Sequence, residues 1–207
     1  MSASLGQVPV RRSPLHTTHA ALGATWTGAG WPLAYGDAAG LADAGPLDKY
    51  SVRPAHAGGT IGASDLPFTA GRIQAVPSLG RNVEVWGLAP DEVLVLGPSP
   101  LALPAIAEAS VTDQSSGIAV LTLSGPRSRS ILEELTAIDV ADRAFADLSV
   151  TAAPLANVRA LIARHDAAGL RFLIAVDRDL AEYLWGALLS IGGIHGLVPV
   201  GAAALAG

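Results

Sequence analysis

The clearest alternation of hydrophobic and polar residues lies in the middle of the chain. In NVEVWGL (82–88), small and apolar residues alternate with Asn82, Glu84 and Trp86, which is the period of a β-strand. An Ala-Pro-Asp turn follows, and EVLVLG (92–97) is again strand-like in composition. The pattern therefore predicts a β-hairpin.

The second half of the chain alternates between strand-like and helix-like patterns. The predicted strands are 117–123, 146–153, 157–164 and 170–176. One predicted helix begins at Pro126, capped by Ser124 or Gly125, and carries Ile131, Leu132, Leu135 and Ile138 at helical spacing. The last predicted helix follows Asp177 or Asp179 and stops at Gly192-Gly193. This order predicts an α+β fold with a mostly antiparallel sheet, close to a split βαβ or ferredoxin-like layer.

The first eighty residues show little periodicity and are rich in Gly, Pro, Ala and Thr. We expect a flexible arm over residues 1–13, and then loops and short strands with a short helix near 17–22. Further on, SPLALPAIAEA (99–109) predicts a helix that Pro104 shortens or bends. After the arm we expect two α+β units packed as one compact body, residues 14–110 and 111–207.

The composition raises the question of whether the chain packs against a partner subunit. Of the 207 residues, 50% are hydrophobic and only 15% are charged, against about 25% charged in typical soluble domains. A weakly charged chain has to cover its apolar surface, and a partner subunit is one way to do so. An Ala- and Gly-rich coding bias gives the same composition, so both explanations stay open.

Charge and hydropathy narrow the class of protein. The net charge is −5 and no basic run exceeds Arg11-Arg12, which argues against nucleic-acid binding. The N-terminus, MSASLGQVPVRR, has no continuous apolar stretch of signal-peptide length, and no stretch of the chain is long and apolar enough to span a membrane. We therefore expect a cytoplasmic protein that does not contact a membrane. The absence of cysteine excludes disulfides, thiol nucleophiles and cysteine metal sites.

Candidate chemistry is sparse. The Gly-Pro helix start with Arg127 and Arg129 beside it could hold a carboxylate or a phosphate, although a strand-to-helix joint with two solvated arginines explains it better. His16 and His19 have the i, i+3 spacing of a helical metal pair, but a solvent-facing pair is the better interpretation. No nucleophile elbow, P-loop or GxGxxG motif is present. The residues alone predict an α+β domain without a self-evident catalytic group.

Three blocks of the sequence resemble the aminomethyltransferase (glycine cleavage T-protein) superfamily, and they occur in family order. They are RRSPLHTTHAALGATWTGAGWPLAYGD (11–37), VTDQSSGIAVLTLSGPRSRSILEEL (111–135) and LWGALLSIGGIHGLVPVGAAAL (184–205). Within this superfamily, the chain is most similar to the γ subunits of heterotetrameric sarcosine oxidases, over WGLAPDEVLVLG (86–97), residues 135–165 and DRDLAEYLWGALL (177–189). The resemblance implies ferredoxin-like layers as in the aminomethyltransferase folate-binding domain.

Two departures from the family pattern bear on function. Catalytic members carry an essential acid in a Gly-Gly-Ile-x-Asp-Asp-type loop, whereas SLGRNVEVWGL (78–88) has no Asp pair. Folate-binding members carry a Thr-Gly-Glu-x-Gly-Phe-Glu-type turn whose first Glu binds the pterin. The matching turn, HDAAGLRF (165–172), has Ala168 and Gly169 where the acid should stand, and Asp166 is the nearby acid that could substitute.

The resemblance and the departures together imply an accessory, non-catalytic subunit of an oxidoreductase complex of the sarcosine oxidase type, acting on CH-NH donors in one-carbon metabolism. Its partners would be larger flavin- and folate-binding oxidase subunits. Tetrahydrofolate and flavin are expected in the complex, with neither bound by this chain alone. The alternative is a stand-alone tetrahydrofolate-dependent aminomethyltransferase-like or folate-binding protein. For folate contacts the candidates are Trp86, Arg127, Asp166 and Tyr183; no catalytic residue and no metal ligand is predicted.

Overall fold

The computed structural model describes residues 13–26, 32–34, 40–44, 47–56, 61, 66–167 and 169–201. The arm predicted over residues 1–13 lies outside the described residues except for Ser13. The described strands are β1 (Thr25–Trp26), β2 (Pro32–Ala34), β3 (Leu41–Asp43), β4 (Leu47–Pro54), β5 (Ile73–Ala75), β6 (Glu84–Ala89), β7 (Glu92–Pro98), β8 (Ala109–Asp113), β9 (Ile118–Ser124), β10 (Val150–Leu155), β11 (Val158–His165) and β12 (Arg171–Asp177). The described α-helices are α1 (His16–Ala21), α2 (Ser128–Leu135) and α3 (Ala181–Gly192).

One five-stranded sheet is contiguous in sequence and has the order β5-β6-β7-β4-β8. We call it the inserted sheet, because its strands lie between β3 and β9 along the chain. All neighbouring strands within this sheet pair antiparallel. The predicted hairpin is confirmed as β6 and β7, with Val85 opposite Val95. The eight-residue β4 pairs with both β7 and β8, and it is longer and more regular than the loops and short strands predicted for this region.

The other five-stranded sheet, the main sheet, has the order β10-β11-β12-β9-β3 and is also antiparallel throughout. Its outer strand β3 precedes the inserted sheet in sequence, yet Leu41 pairs with Leu123 of β9. The fold is α+β, with two antiparallel sheets and few helices, as predicted. The division into units 14–110 and 111–207 stays a prediction.

The two faces of the main sheet have different neighbours, because successive side chains of a strand point to opposite faces. On one face, Ile162 and Ile174 pack with Leu132 of α2 and Leu184 of α3. On the other face, Ala163, Ala175 and Val120 pack against Trp86, Leu94 and Leu96 of the inserted sheet. The main sheet therefore lies between a helical layer and the inserted sheet. No described helix is long and apolar enough to cross a membrane.

Two helix predictions need correction. The helix predicted over 99–109 is wrong: residues 101–106 form no regular structure, and Ala109 begins β8, whose pairing with β4 takes precedence over the helical spacing. Helix α2 begins at Ser128 and not at Pro126. The Ser124 side chain does not cap it, because its Oγ donates a hydrogen bond to the carbonyl of Gly40, at 3.2 Å, on the neighbouring chain segment.

Candidate functional site

The turn between β11 and β12 is the place where the resemblance expects a pterin-binding acid. Asp166 begins this turn, and its carboxylate is already engaged. Arg164 donates from Nε to Oδ1 at 3.0 Å and from Nη2 to Oδ2 at 2.6 Å. The backbone N–H of Asp166 donates to Oδ1 of Asp147 at 2.9 Å. Asp166 therefore fixes the end of β11 and does not point a free carboxylate out of the turn.

Arg164 is the centre of this arrangement, and its side chain is only 7% exposed. Besides Asp166, its Nη1 donates to the carbonyl of Phe145 at 2.7 Å, and its Nη2 lies 2.7 Å from Oδ1 of Asp142. The hydrogen bond from Arg164 lowers the pKa of Asp142, and the hydrogen bond to Asp166 raises the pKa of Arg164. Asp142 also pairs with Arg129. Since Arg129 is engaged by this carboxylate, the helix start at residues 125–129 is best described as a structural joint.

Trp86 lies between the two sheets with no exposed surface. Its Nε1 donates to Oε2 of Glu84 at 2.9 Å. The same oxygen lies 3.5 Å from Nε2 of His165, a long contact, and Nε2 has no hydrogen-bond partner among the described residues. A ring enclosed in this way packs the sheets together and offers no open face on which a pterin would stack.

Arg127 and Tyr183 lie on the helical side of the main sheet. Arg127 is exposed at the start of α2, and among the described residues its side chain has no hydrogen bond or ion pair. Tyr183 on α3 is 52% exposed, and its hydroxyl donates to the carbonyl of Ala156 at 2.9 Å. The main sheet separates both residues from Trp86. The assignment of Trp86, Arg127, Asp166 and Tyr183 to folate stays a prediction.

The geometry gives a direct test of fit for tetrahydrofolate. In the family pattern, a carboxylate in this turn accepts hydrogen bonds from the amino edge of the pterin, because an amino group donates and a carboxylate accepts. Three acids of the described part of the chain lie at this turn, and each already accepts hydrogen bonds: Asp166 from Arg164, Asp147 from the backbone N–H of Asp166, and Glu84 from Trp86. The acids at this turn therefore do not offer the free carboxylate with which the family pattern binds folate.

The histidines at the start of the chain do not form a solvent-facing pair, since His19 is fully buried. Its Nε2 lies 3.3 Å from Oδ2 of Asp43, and its ring edge meets Trp185 with centroids 5.0 Å apart. Ser13 donates to the same carboxylate oxygen. The described residues contain no group of three His, Asp or Glu side chains that could hold a metal. The cluster joins α1 to β3 and α3.

The two sheets enclose a cavity that the sequence does not predict. It has a volume of about 270 Å³, and none of the four predicted folate contacts lines it. Its charged lining residues are Arg53, Glu92, Arg159 and Asp177. For three of them the sequence signal is position: Glu92, Arg159 and Asp177 each lie at or near a strand end, two residues from an apolar residue on the same face. We call this space the intersheet cavity.

The arrangement of a helical layer, a main sheet and an inserted sheet defines a known class of α+β protein. The fold is similar to that of a chain in the heterotetrameric sarcosine oxidase from Corynebacterium sp. U-96 in complex with pyrrole 2-carboxylate, with a TM-score of 0.67 and 21% sequence identity. The similarity covers 92% of this chain and 98% of that chain.

Sequence comparison then gives the family. The family model of the GCVT N-terminal domain matches residues 101–207, just over half of the chain, and the chain belongs to this family. It is 32% identical to an aminomethyltransferase of Streptomyces coelicolor, over 95% of this chain and 61% of that protein. An aminomethyltransferase of Saccharopolyspora erythraea is 29% identical, over 92% of this chain and 60% of that protein. The chain thus spans about three-fifths of the length of these curated relatives.

Proposed function

We propose that this chain is an accessory, non-catalytic subunit of a sarcosine oxidase-type amine oxidase or demethylase complex. In such a complex, flavin and tetrahydrofolate are held by larger partner chains. This chain packs against the folate-binding partner and supports its structure. The low proportion of charged residues, 15%, fits a chain that covers part of its surface with a partner.

The observation that carries the proposal is the commitment of Asp166 to Arg164. A carboxylate that holds a pterin supplies charge-assisted hydrogen bonds of about 1.5–3 kcal/mol each. In this turn the sequence has Ala168 and Gly169 at the expected position, and the neighbouring acid accepts both of its hydrogen bonds from Arg164. Tetrahydrofolate bound at this turn would lack that contribution. The extent of the fold similarity supports the same proposal, because nearly all of one chain of a heterotetramer corresponds to nearly all of this one.

Affinity purification of the tagged chain from its native host tests the subunit role. We expect it to bring down a larger chain that carries flavin, recognised by the flavin absorption spectrum of the eluate. A second arm titrates the isolated chain with tetrahydrofolate by calorimetry, and here we expect no binding at micromolar concentration. Recovery of this chain alone as a monomer, together with micromolar folate binding, would contradict the proposal.

The alternative is a stand-alone tetrahydrofolate-dependent aminomethyltransferase-like or folate-binding protein. The identity of 32% to an aminomethyltransferase over 95% of this chain favours it. If it is correct, tetrahydrofolate binds the isolated chain, and substitution Asp166→Asn weakens the binding by disturbing the turn. Arg143→Gln is the matched control, since Arg143 is 87% exposed and lies outside the turn. Equal affinities of Asp166→Asn and the control would remove Asp166 from the folate site.

A further inference from the structure

The intersheet cavity is built from two facing strand pairs. On the inserted sheet, Arg53 of β4 and Glu92 of β7 lie one position beyond the paired residues Val52 and Val93. On the main sheet, Arg159 of β11 and Asp177 of β12 lie one position beyond the paired residues Ala160 and Val176. Each sheet therefore presents one arginine and one acid, side by side, to the same space of about 270 Å³.

In the pair on the inserted sheet, the two side chains are bonded to each other. Nη2 of Arg53 donates to Oε1 of Glu92 at 2.5 Å. The hydrogen bond to Glu92 raises the pKa of Arg53, so the guanidinium stays charged at every working pH. Since each group neutralises the other, this pair forms a polar wall of the cavity and leaves no net charge for a ligand.

In the pair on the main sheet, the two side chains are not bonded to each other. Arg159 and Asp177 both line the cavity, but they form no ion pair with each other, and within the described part of the chain neither side chain has another hydrogen bond or ion pair. Side chains on adjacent strands have their Cβ atoms about 5 Å apart, so one positive and one negative group stand at neighbouring positions without contact. Both residues are exposed, and an exposed ion pair gains little free energy. A ligand that satisfies both groups therefore has little to displace.

Between the two pairs, the cavity has an apolar floor. Leu161 and Ala175 continue the faces of Arg159 and Asp177 on the main sheet, and Leu94 continues the face of Glu92 on the inserted sheet. Leu94 and Ala175 are each only 2% exposed. A ligand side chain that reaches this floor removes apolar surface from water. The volume lies just below the usual range for drug-sized ligands, about 300–1,000 Å³, which fits a molecule of amino-acid size.

From this arrangement we propose that the intersheet cavity is a binding site for a small zwitterion, an α-amino acid with an apolar side chain. Its carboxylate accepts hydrogen bonds from Arg159, its ammonium group donates to Asp177, and its side chain packs on Leu94, Leu161 and Ala175. The site lies at the end of β11 and β12 opposite to the turn at Asp166. It is therefore independent of the proposed subunit role, and failure of either proposal leaves the other intact.

Titration of the full chain with L-leucine, followed by amide chemical shifts or calorimetry, tests this site. Three comparison ligands each lack one part: glycine lacks the side chain, 4-methylpentanoate lacks the ammonium group and 3-methylbutylamine lacks the carboxylate. We expect millimolar binding of leucine and about ten-fold weaker binding of each comparison ligand, since each loses one contact. Leucine binding no tighter than glycine binding overturns the proposal.

Two substitutions assign the roles of the charged residues. Arg159→Gln should remove the preference for leucine over 3-methylbutylamine, and Asp177→Asn should remove the preference for leucine over 4-methylpentanoate. Both residues are exposed, so the variants should fold, and far-UV circular dichroism checks this. Arg143→Gln is the control, because it removes an arginine that is 87% exposed and does not line the cavity. If the control weakens leucine binding as much as Arg159→Gln does, or if Arg159→Gln leaves it unchanged, the proposal is wrong.

Discussion

Replacement of Arg164 by alanine removes the side chain that joins the end of β11 to the loop before β10. The loss includes the hydrogen bond to the buried carbonyl of Phe145 and the two bonds to Asp166. The donor of all three bonds is the charged guanidinium, and a hydrogen bond to a charged group contributes about 1.5–3 kcal/mol. Because the Asp166 side chain is 33% exposed and regains water, we take the lower end for it. The exposed contact with Asp142 is given no share. The bond to Phe145 and the bidentate pair with Asp166, counted once, contribute about 1.5 kcal/mol each, so the expected loss is about 3 kcal/mol.

Urea denaturation followed by far-UV circular dichroism measures this loss. With a slope of about 2 kcal/mol per molar urea, the midpoint for Arg164→Ala should fall by about 1.5 M. Arg164→Lys keeps the charge but not the planar fork that reaches three acceptors, so we expect about half of that fall. Arg143→Ala, at a site that is 87% exposed, is the control and should change the midpoint little. An Arg164→Lys protein as stable as the wild type would refute the argument from geometry.

Three further changes test other parts of the structure. A Cβ added in Gly87→Ala would lie 2.2 Å from the carbonyl oxygen of Thr69, so backbone must move and we expect a loss of about 2 kcal/mol or more; an unchanged melting temperature would contradict this. The hydrogen bond from the Arg164 guanidinium lowers the pKa of Asp142 from 3.8. The contribution of this carboxylate to stability is therefore complete above pH 3.8 and is lost as the pH falls through the lowered pKa. The difference in free energy of unfolding between wild type and Asp142→Asn should shrink on acidification, and a difference that grows would contradict this. Tyr183→Phe loses one hydroxyl bond at a residue that is 52% exposed, and we expect a fall of about 0.5 kcal/mol in the free energy of unfolding; a loss several times larger would mean that the hydroxyl has a further partner.

The elements that the sequence predicts well are those in which local pattern and tertiary packing agree. The strands of the β6–β7 hairpin are rich in apolar residues because one face packs on the main sheet and the other packs in an apolar cluster of the inserted sheet. Strand β4 was missed because its burial does not alternate: Asp48 and Lys49 are both buried. Asp48 accepts a hydrogen bond from the backbone of Leu101 at 2.8 Å. No local pattern contains that partner, fifty-three positions away.

The two candidate sites also differ in how much of them can be predicted from the sequence. The turn at residues 165–172 is recognisable from sequence, because hairpin turns have local composition signals. Asp166 lies only two residues after Arg164 in the sequence. The two can bond only because their side chains lie on the same side of the chain at the end of β11. The facing pairs of the intersheet cavity come from four strands that meet only in the folded chain. Periodicity within each strand places the charges at the ends but says nothing of which ends face each other.

The position of β3 imposes an order on how the chain acquires its structure during synthesis. Its partner in β9 lies about eighty residues further along, beyond the whole inserted sheet, and closing so long a loop is slow. All five strands of the inserted sheet have left the ribosome once Asp113 emerges, whereas the main sheet is complete only after Asp177. Segment 41–43 must therefore wait without its neighbour while an entire sheet assembles behind it. In this interval the unpaired segment is open to wrong pairing, as unpaired strand edges are in any partly folded chain.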